Sequence, residues 1–285
     1  AEIVFATTSE NDIAYSWSID TEIGTESLTG VGNIPLFDAE NIGTDPIVAT
    51  VTVTPSNNET DPSLTCEGSS IEFTITVNPT AQVDPVDSLD LCNGDTGVVD
   101  FTTSNGGVDS VTTYSWEITG GDSVFESGTL TGTGNINLPV ANETNADLVA
   151  TVTVTPTYTN DGVDCTGPSE EFTITVNPTA QVDQVDDIVV CNGDEVAEIV
   201  FATTSENDIA YSWSIDTEIG TQSLTGVGNI PLFEAENIGT DPVVATVTVT
   251  PSNDETDPSL TCEGSSIEFT ICLLYTSDAA DERLR

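Results

Sequence analysis

The sequence predicts an all-β protein built as a row of small sandwiches. Three observations predict it. A two-strand unit with period-two alternation occurs three times. No stretch carries a helical period. One tryptophan recurs per repeat, at Trp17, Trp116 and Trp213, 99 and 97 residues apart. Alternation of apolar and polar residues marks a half-buried strand. A period near 100 residues is the length of a domain and too long for a solenoid repeat.

The elements follow in chain order. The chain opens inside a strand, AEIVFATTS at 1–9; the same string stands at 197–205 behind IVVCNGDEV, so the first repeat is read as lacking its opening strand. A loop with Glu10, Asn11 and Asp12 leads to AYSWSI, matched later by YSWEI and again by AYSWSI. A lone tryptophan in a short alternating strand reads as a core aromatic. The competing reading is an exposed platform for sugar. Next comes SLTGVGNIPLF at 27–37, with TLTGTGNINL and a second SLTGVGNIPLF as equivalents. Its GxGN run lacks the helix and lysine of a phosphate loop, so its glycines read as turn residues.

The repeated hairpin follows. Its first arm is IVATVTVTP at 47–55, LVATVTVTP at 148–156 and VVATVTVTP at 243–251. Each is expected to stop at its proline, which has no N–H for a ladder. The second arm is SIEFTITVNP at 70–79, SEEFTITVNP at 169–178 and SIEFTI at 266–271. Ile71, Phe73, Ile75 and Val77 should face one way, and Glu72, Thr74 and Thr76 the other. The loop between the arms is long and acidic. NPTAQVDPVDS at 78–88 and NPTAQVDQVDD at 177–187 read as extended linkers. LDLCNGD and VVCNGDE carry Asn-Gly, a two-residue hairpin signal.

A full repeat therefore holds about seven strands, the number and size of an immunoglobulin-like sandwich. The domains are placed at 1–79, 80–178 and 179–271. The first and third differ at four of 75 aligned positions, and the second is distinct. After Ile271 the expected TVNPTA gives way to CLLYTSDAADERLR. That run resembles a translated sequencing adapter. Residues 272–285 are read as a non-native tail, and the last strand as cut short.

Charge excludes whole classes of partner. The chain has 49 Asp and Glu against two Arg, with no Lys and no His, for a net charge of −47. Both arginines, Arg283 and Arg285, lie in the tail. Phosphate contacts need basic side chains, which rules out nucleic acid and an anionic membrane as partners. No base or electrophile of the Lys, Arg or His kind stands in residues 1–271, so the chain is read as no enzyme.

Two chemistries are left. Cys66, Cys92, Cys165, Cys191 and Cys262 occupy two recurring positions, with no CxxC, which favours disulfides in an oxidising compartment over zinc. Pairing within a repeat would join Cys92 to Cys165 and Cys191 to Cys262. The alternative is Cys92 to Cys262 as a clamp between neighbours. Carboxylate-rich loops suit calcium. Candidate ligands are Asp161 and Asp164, Asp84 and Asp87, and Asp183, Asp186 and Asp187; the competing reading is solvated acidic loops.

The order YSW, GxGNI, ATVTVTP, a cysteine-containing loop, FTITVNPT and VCNGD resembles the PKD-like repeats of large Bacteroidetes cell-surface proteins. Several of these are gliding-motility-associated or adhesin-like. The resemblance covers residues 1–271. It implies an immunoglobulin-like fold, an extracellular or cell-surface setting and no catalytic residues. Asp87-Ser88-Leu89, Asp109-Ser110-Val111 and Asp122-Ser123-Val124 resemble the O-glycosylation acceptor of that phylum. The expected role is a stalk or spacer in adhesion or gliding, with neighbouring repeats as partners and surface glycans or other cells beyond them. The alternatives are a carbohydrate-binding array or accessory domains of a large secreted hydrolase.

Overall fold

The computed structural model describes residues 2–7, 13–57, 66–204, 208–253 and 261–275, and every element assigned among them is a strand. In the first repeat these are β1 (Ile13–Ile19), β2 (Thr29–Val31), β3 (Ile47–Asn57) and β4 (Ile71–Val77). The second has β5 (Leu89–Cys92), β6 (Thr96–Val99), β7 (Val111–Gly121), β8 (Thr131–Thr133), β9 (Ile136–Pro139), β10 (Leu148–Asn160), β11 (Val163–Thr166) and β12 (Glu170–Asn177). The third has β13 (Ile188–Cys191), β14 (Glu195–Val196), β15 (Ile209–Ile215), β16 (Thr225–Val227), β17 (Phe233–Glu234), β18 (Val243–Asn253) and β19 (Ile267–Leu274).

The second repeat shows the plan. One sheet runs β5-β12-β10-β7-β8, with β11 beside β10, and faces a small sheet of β6 and β9. β5 lies parallel to β12, while the other pairings in that sheet are antiparallel. The third repeats this as β13-β19-β18-β15-β16 against β14-β17. The chain thus folds as tandem immunoglobulin-like β-sandwiches. The first repeat shows β2-β1-β3-β4 and, among the described residues, no parallel strand beside β4. The effect on packing is direct. Phe172 and Ile174 are buried on β12, whereas their equivalents Phe73 and Ile75 on β4 are only half-buried and Ile71 is exposed.

The twice-alternating arms pair as the pattern demands: β3 with β4, β10 with β12 and β18 with β19. Ala49, Val51 and Val53 point into the core while the threonines between them do not. The first arms do not stop at their prolines. β3 runs through Pro55 to Asn57, β18 through Pro251 to Asn253, and β10 further still, through Pro156 to Asn160. Pro55 is opposite Tyr15, whose carbonyl accepts from Gly32 on the other side, so no ladder bond is asked of the proline there. On its own bonding side the return arm has swung away, and the Pro55 carbonyl accepts from the Gly68 N–H.

Each tryptophan is a core residue, with Trp17, Trp116 and Trp213 exposed by 7%, 5% and 7%. The sugar-platform reading is thereby set aside. The first glycine of each GxGN run is not a turn residue. Gly132 sits in β8 directly opposite Trp116, and a Cβ there would lie 2.3 Å from the indole Cζ2. Gly30 and Gly226 stand in the same relation to Trp17 and Trp213. The second glycine does turn the chain, at φ 70° for Gly134. The asparagine after it pins the opening segment: Asn135 Oδ1 accepts from Phe101 N at 3.1 Å, as Asn33 does from Phe5 and Asn229 from Phe201.

Two further expectations change. The Asn-Gly turn makes no hairpin, because β5 and β6 belong to different sheets. β5 spends its backbone bonds on β12, so the turn at Asn93 and Gly94 is a corner between the layers. The linkers are extended but not free. Val83 lies in the core of the second sandwich, and Val182 and Val185 pack on that of the third. Burial of these alternating apolar residues holds them there, with Asp84 N bonded to Thr102 O and Asp183 N to Ala202 O, both at 2.8 Å. Finally, β19 does not end at Ile271. It continues through Cys272 and Leu273 to Leu274, and Leu273 is fully buried in the place of Val176. An apolar residue at the right parity is all that position requires. Residues 276–285 lie outside those described.

Candidate functional site: the junctions between sandwiches

Among the described residues no grouping of catalytic side chains stands out, and the built features concentrate where one sandwich meets the next. At the first junction the Gly106 N–H donates to Thr44 O at 3.0 Å. Tyr158, buried to 1% exposure, donates its hydroxyl to Gly106 O at 2.9 Å. Asn160 Nδ2 reaches back across the boundary to Asn78 Oδ1 at 2.7 Å. Asn105 takes the Gln82 N–H on its Oδ1 and gives its Nδ2 to Thr80 O, tying the linker to the second sandwich.

The second junction contains the disulfide. Cys92, at the end of β5, is bonded to Cys262 in the loop ahead of β19, across a sequence separation of 170 and a Cα–Cα distance of 5.5 Å. Pairing within the repeat is therefore not what Cys92 and Cys262 adopt. The physical reason is the position of the two features. The corner of one sandwich and the hairpin loop of the same sandwich lie at opposite ends, and a row brings the corner of one to the loop of the next. Cys66, Cys165 and Cys191 are free thiols.

The corner is held by its own side chains. Asp95 Oδ2 accepts from Cys92 N at 2.8 Å, Asn93 Oδ1 from Asn142 N at 2.8 Å, and Asn93 Nδ2 donates to Thr179 Oγ1 of the linker at 3.0 Å. The loop glycine two residues after each cysteine fits against the incoming linker. A Cβ on Gly264 would stand 1.8 Å from Ala180 O, and one on Gly167 at 1.8 Å from Ala81 O. Overpacking at such a contact costs about 1–3 kcal/mol. Gly264→Ala is therefore expected to make the Cys92–Cys262 bridge easier to reduce. Titration against a glutathione redox series checks this, and an unchanged midpoint would mean the linker does not bear on the loop.

The acidic candidates do not converge. Among the described residues no three His, Cys, Asp or Glu side chains form a group able to hold a metal ion. Asp161 and Gly162 are the turn of a tight hairpin, at φ 49° and 75°, that extends β10 into β11. The acidic loop of the second repeat is thus mostly strand, signalled by Asp-Gly. Asp164 accepts from Thr159 Oγ1 at 2.7 Å. Asp187 accepts from Thr270 N at 2.7 Å, which lowers its pKa. Tyr211 is pushed up by burial and then by the charge of Asp183, while Asp186 is exposed. Asp84 stands to Tyr114 as Asp183 does to Tyr211, and Asp87 is exposed. Of the acceptor-like serines, Ser88 accepts from Thr173 Oγ1 and Ser110 donates to Gly106 O, while Ser123 is exposed.

Sequence reasoning missed the glycine–alanine contact and the corner asparagine. Both left a signal. NPTAQVD and Cys-x-Gly are each repeated without change on opposite sides of a boundary.

No family model matches the chain, and no curated protein matches it. Among solved structures, the three N-terminal domains of the Highly Immunogenic Outer Capsid protein (Hoc) of bacteriophage RB49 are 13% identical, over 96% of this chain and 92% of that one, at a TM-score of 0.45. Mouse clustered PcdhgC3 EC1-3 is 13% identical over 92% and 89%, at 0.37. Drosophila N-cadherin EC1-3 is 14% identical over 96% and 92%, at 0.25. At these identities and scores the likeness decides nothing about function.

Proposed function

We propose that the chain is a structural stalk of three sandwiches, 1–79, 80–178 and 179–271, within a secreted or surface-anchored, adhesin-like protein. The observation that carries this reading is the construction of the junctions. Each linker is packed into the sandwich that follows it, its alanine is covered by the loop glycine, and one boundary is closed by a disulfide. A string of loosely tethered domains has no use for such contacts, whereas a spacer that must hold its length does. The disulfide fits an extracellular setting. Neighbouring repeats are the immediate partners, and surface glycans or other cells would be met by domains the stalk displays, as in the gliding and adhesion proteins its repeats resemble. Buried indoles argue against a carbohydrate-binding array.

Small-angle X-ray scattering tests this. A compact globule of this length would have a radius of gyration of about 19 Å. A row of three sandwiches is expected well above that figure, with a profile that holds its shape when salt is added. A value near the compact figure, or one that contracts steadily with salt, would overturn the stalk.

A further inference from the structure

We propose that Cys66, Cys165 and Cys191 are open halves of the same clamp that joins Cys92 to Cys262, so that every boundary in such an array is stapled corner to loop. The proposal rests on the stalk reading and adds a covalent bond at each boundary.

Two recurring positions are involved. The corner cysteine precedes Asn-Gly, at Cys92 and Cys191. The loop cysteine precedes x-Gly, at Cys66, Cys165 and Cys262. The corner of the third sandwich is built as the bonded one is. Asp194 Oδ2 accepts from Cys191 N at 3.0 Å, Asn192 Oδ1 from Asn237 N at 2.7 Å, and Gly193 has φ 87° against 89° for Gly94. The Cys191 thiol is exposed at that ready corner.

The loop halves are matched too. Gly167 meets Ala81 O at the distance at which Gly264 meets Ala180 O. Both loops are therefore docked on the preceding linker in the same way, though only one carries a bond. The half missing at the first boundary is the corner cysteine. Cys191 precedes Ala197 by six residues, and 197–205 is the string with which the chain opens, so the described first sandwich contains the linker side of that junction without the corner. At Gly68 the same small residue is present, yet a Cβ there would meet only Pro55, at 3.1 Å for the ring Cγ. With Cys66 exposed beside it, that loop presents the same small residue and thiol as the two docked loops, open on the side where they meet a linker. The occupant it fits is a sandwich of this same kind, presenting Asn-Pro-Thr-Ala and a Cys-Asn-Gly corner.

The chemistry is thiol–disulfide exchange. One cysteine thiolate attacks a small-molecule disulfide such as oxidised glutathione, whose S–S bond breaks and releases one thiol. The second cysteine then attacks the mixed disulfide and releases the other. Two protein S–H bonds are replaced by one S–S bond, and two electrons and two protons pass to the oxidant.

The test places Ile-Val-Val-Cys-Asn-Gly-Asp-Glu-Val, the 188–196 string, ahead of Ala1 in the full chain. The protein is oxidised with glutathione disulfide and mapped without reduction. The expected result is a linked peptide joining the added cysteine to Cys165, alongside Cys92–Cys262, with two fewer thiols open to alkylation than in the reduced protein for each bridge. Cys165→Ser should leave the added cysteine alkylatable while Cys92–Cys262 still forms. The latter bridge reports that the chain has folded. If it forms while the added cysteine stays a thiol, the recurring clamp is overturned and the stalk stands. If neither bridge forms, the clamp falls as well, and the scattering shape alone decides the stalk.

Discussion

Trp116→Ala should unfold the second sandwich selectively. Replacing a buried tryptophan by alanine costs about 3–5 kcal/mol, against a total stability of about 5–15 kcal/mol for a domain. Trp116 sits in the core with Phe125 5.7 Å away between ring centroids, and its indole covers Gly132. Loss of the indole leaves a cavity against a glycine, which has no side chain to fill it. Trp17 and Trp213 remain as fluorescent reporters of the two outer sandwiches. The expected urea curve has an early transition seen by circular dichroism, with the tryptophan signal changing later. A single coincident transition would show that the sandwiches unfold as one unit. The glycine supplies the companion experiment. Gly132→Ala should be costly beside Trp116 and much milder beside Trp116→Leu, a coupling of about 0.5–3 kcal/mol. Additive costs would mean that the indole does not rest on the glycine.

That pairing shows what was legible in the sequence and what was not. Strand parity in ATVTVTP and FTITVNP was plain, because one face is buried and a slip by one residue would reverse every side chain. The sandwich and its core tryptophan followed. Local signals misled where a tertiary partner outbid them. Asn-Gly at the corner has the residues of a hairpin, but β5 is taken by β12, with Leu89 opposite Ile174. The prolines have no N–H, but the ladder asks nothing of them there. NPTAQVD has the composition of a linker, yet its valines enter a core that only the fold assembles. Glycine is the hardest residue to read. Gly132, Gly134 and Gly167 answer respectively to an indole, a positive φ and a backbone carbonyl, and the letter is the same. The junction was half legible, since the cysteines were visible and their partners depended on which ends of two sandwiches meet.

Salt should stabilise this protein without exception of sign. In most proteins added salt weakens attractive ion pairs and repulsion together. Here residues 1–282 contain no Lys, Arg or His, and the charge is −47. Apart from the chain terminus, no attractive pair is available to be lost, and screening acts on repulsion alone. Between about 0.01 M and 1 M salt the Debye length falls from about 30 Å to about 3 Å. Each 1 kcal/mol of relieved repulsion raises the midpoint of a domain of 60–100 residues by about 4–8 °C. Calorimetry in sodium chloride should show melting temperatures climbing throughout, and any fall at moderate salt would mean that a favourable electrostatic term has been overlooked. Acid relieves the same repulsion up to a limit set by three carboxylates. Asp20, Asp187 and Asp216 accept the backbone N–H groups of Thr50, Thr270 and Thr246, which lowers the pKa of each below 3.8. A carboxyl whose folded pKa is depressed contributes stability above its unfolded value and loses it as pH falls through the folded one. Stability at low ionic strength should therefore rise as the exposed acids are protonated and turn down only below about pH 3.8, where Asp20, Asp187 and Asp216 release the strands they cap. In Asp20→Asn with Asp216→Asn the downturn should shrink, because an amide oxygen still accepts the N–H and no longer titrates.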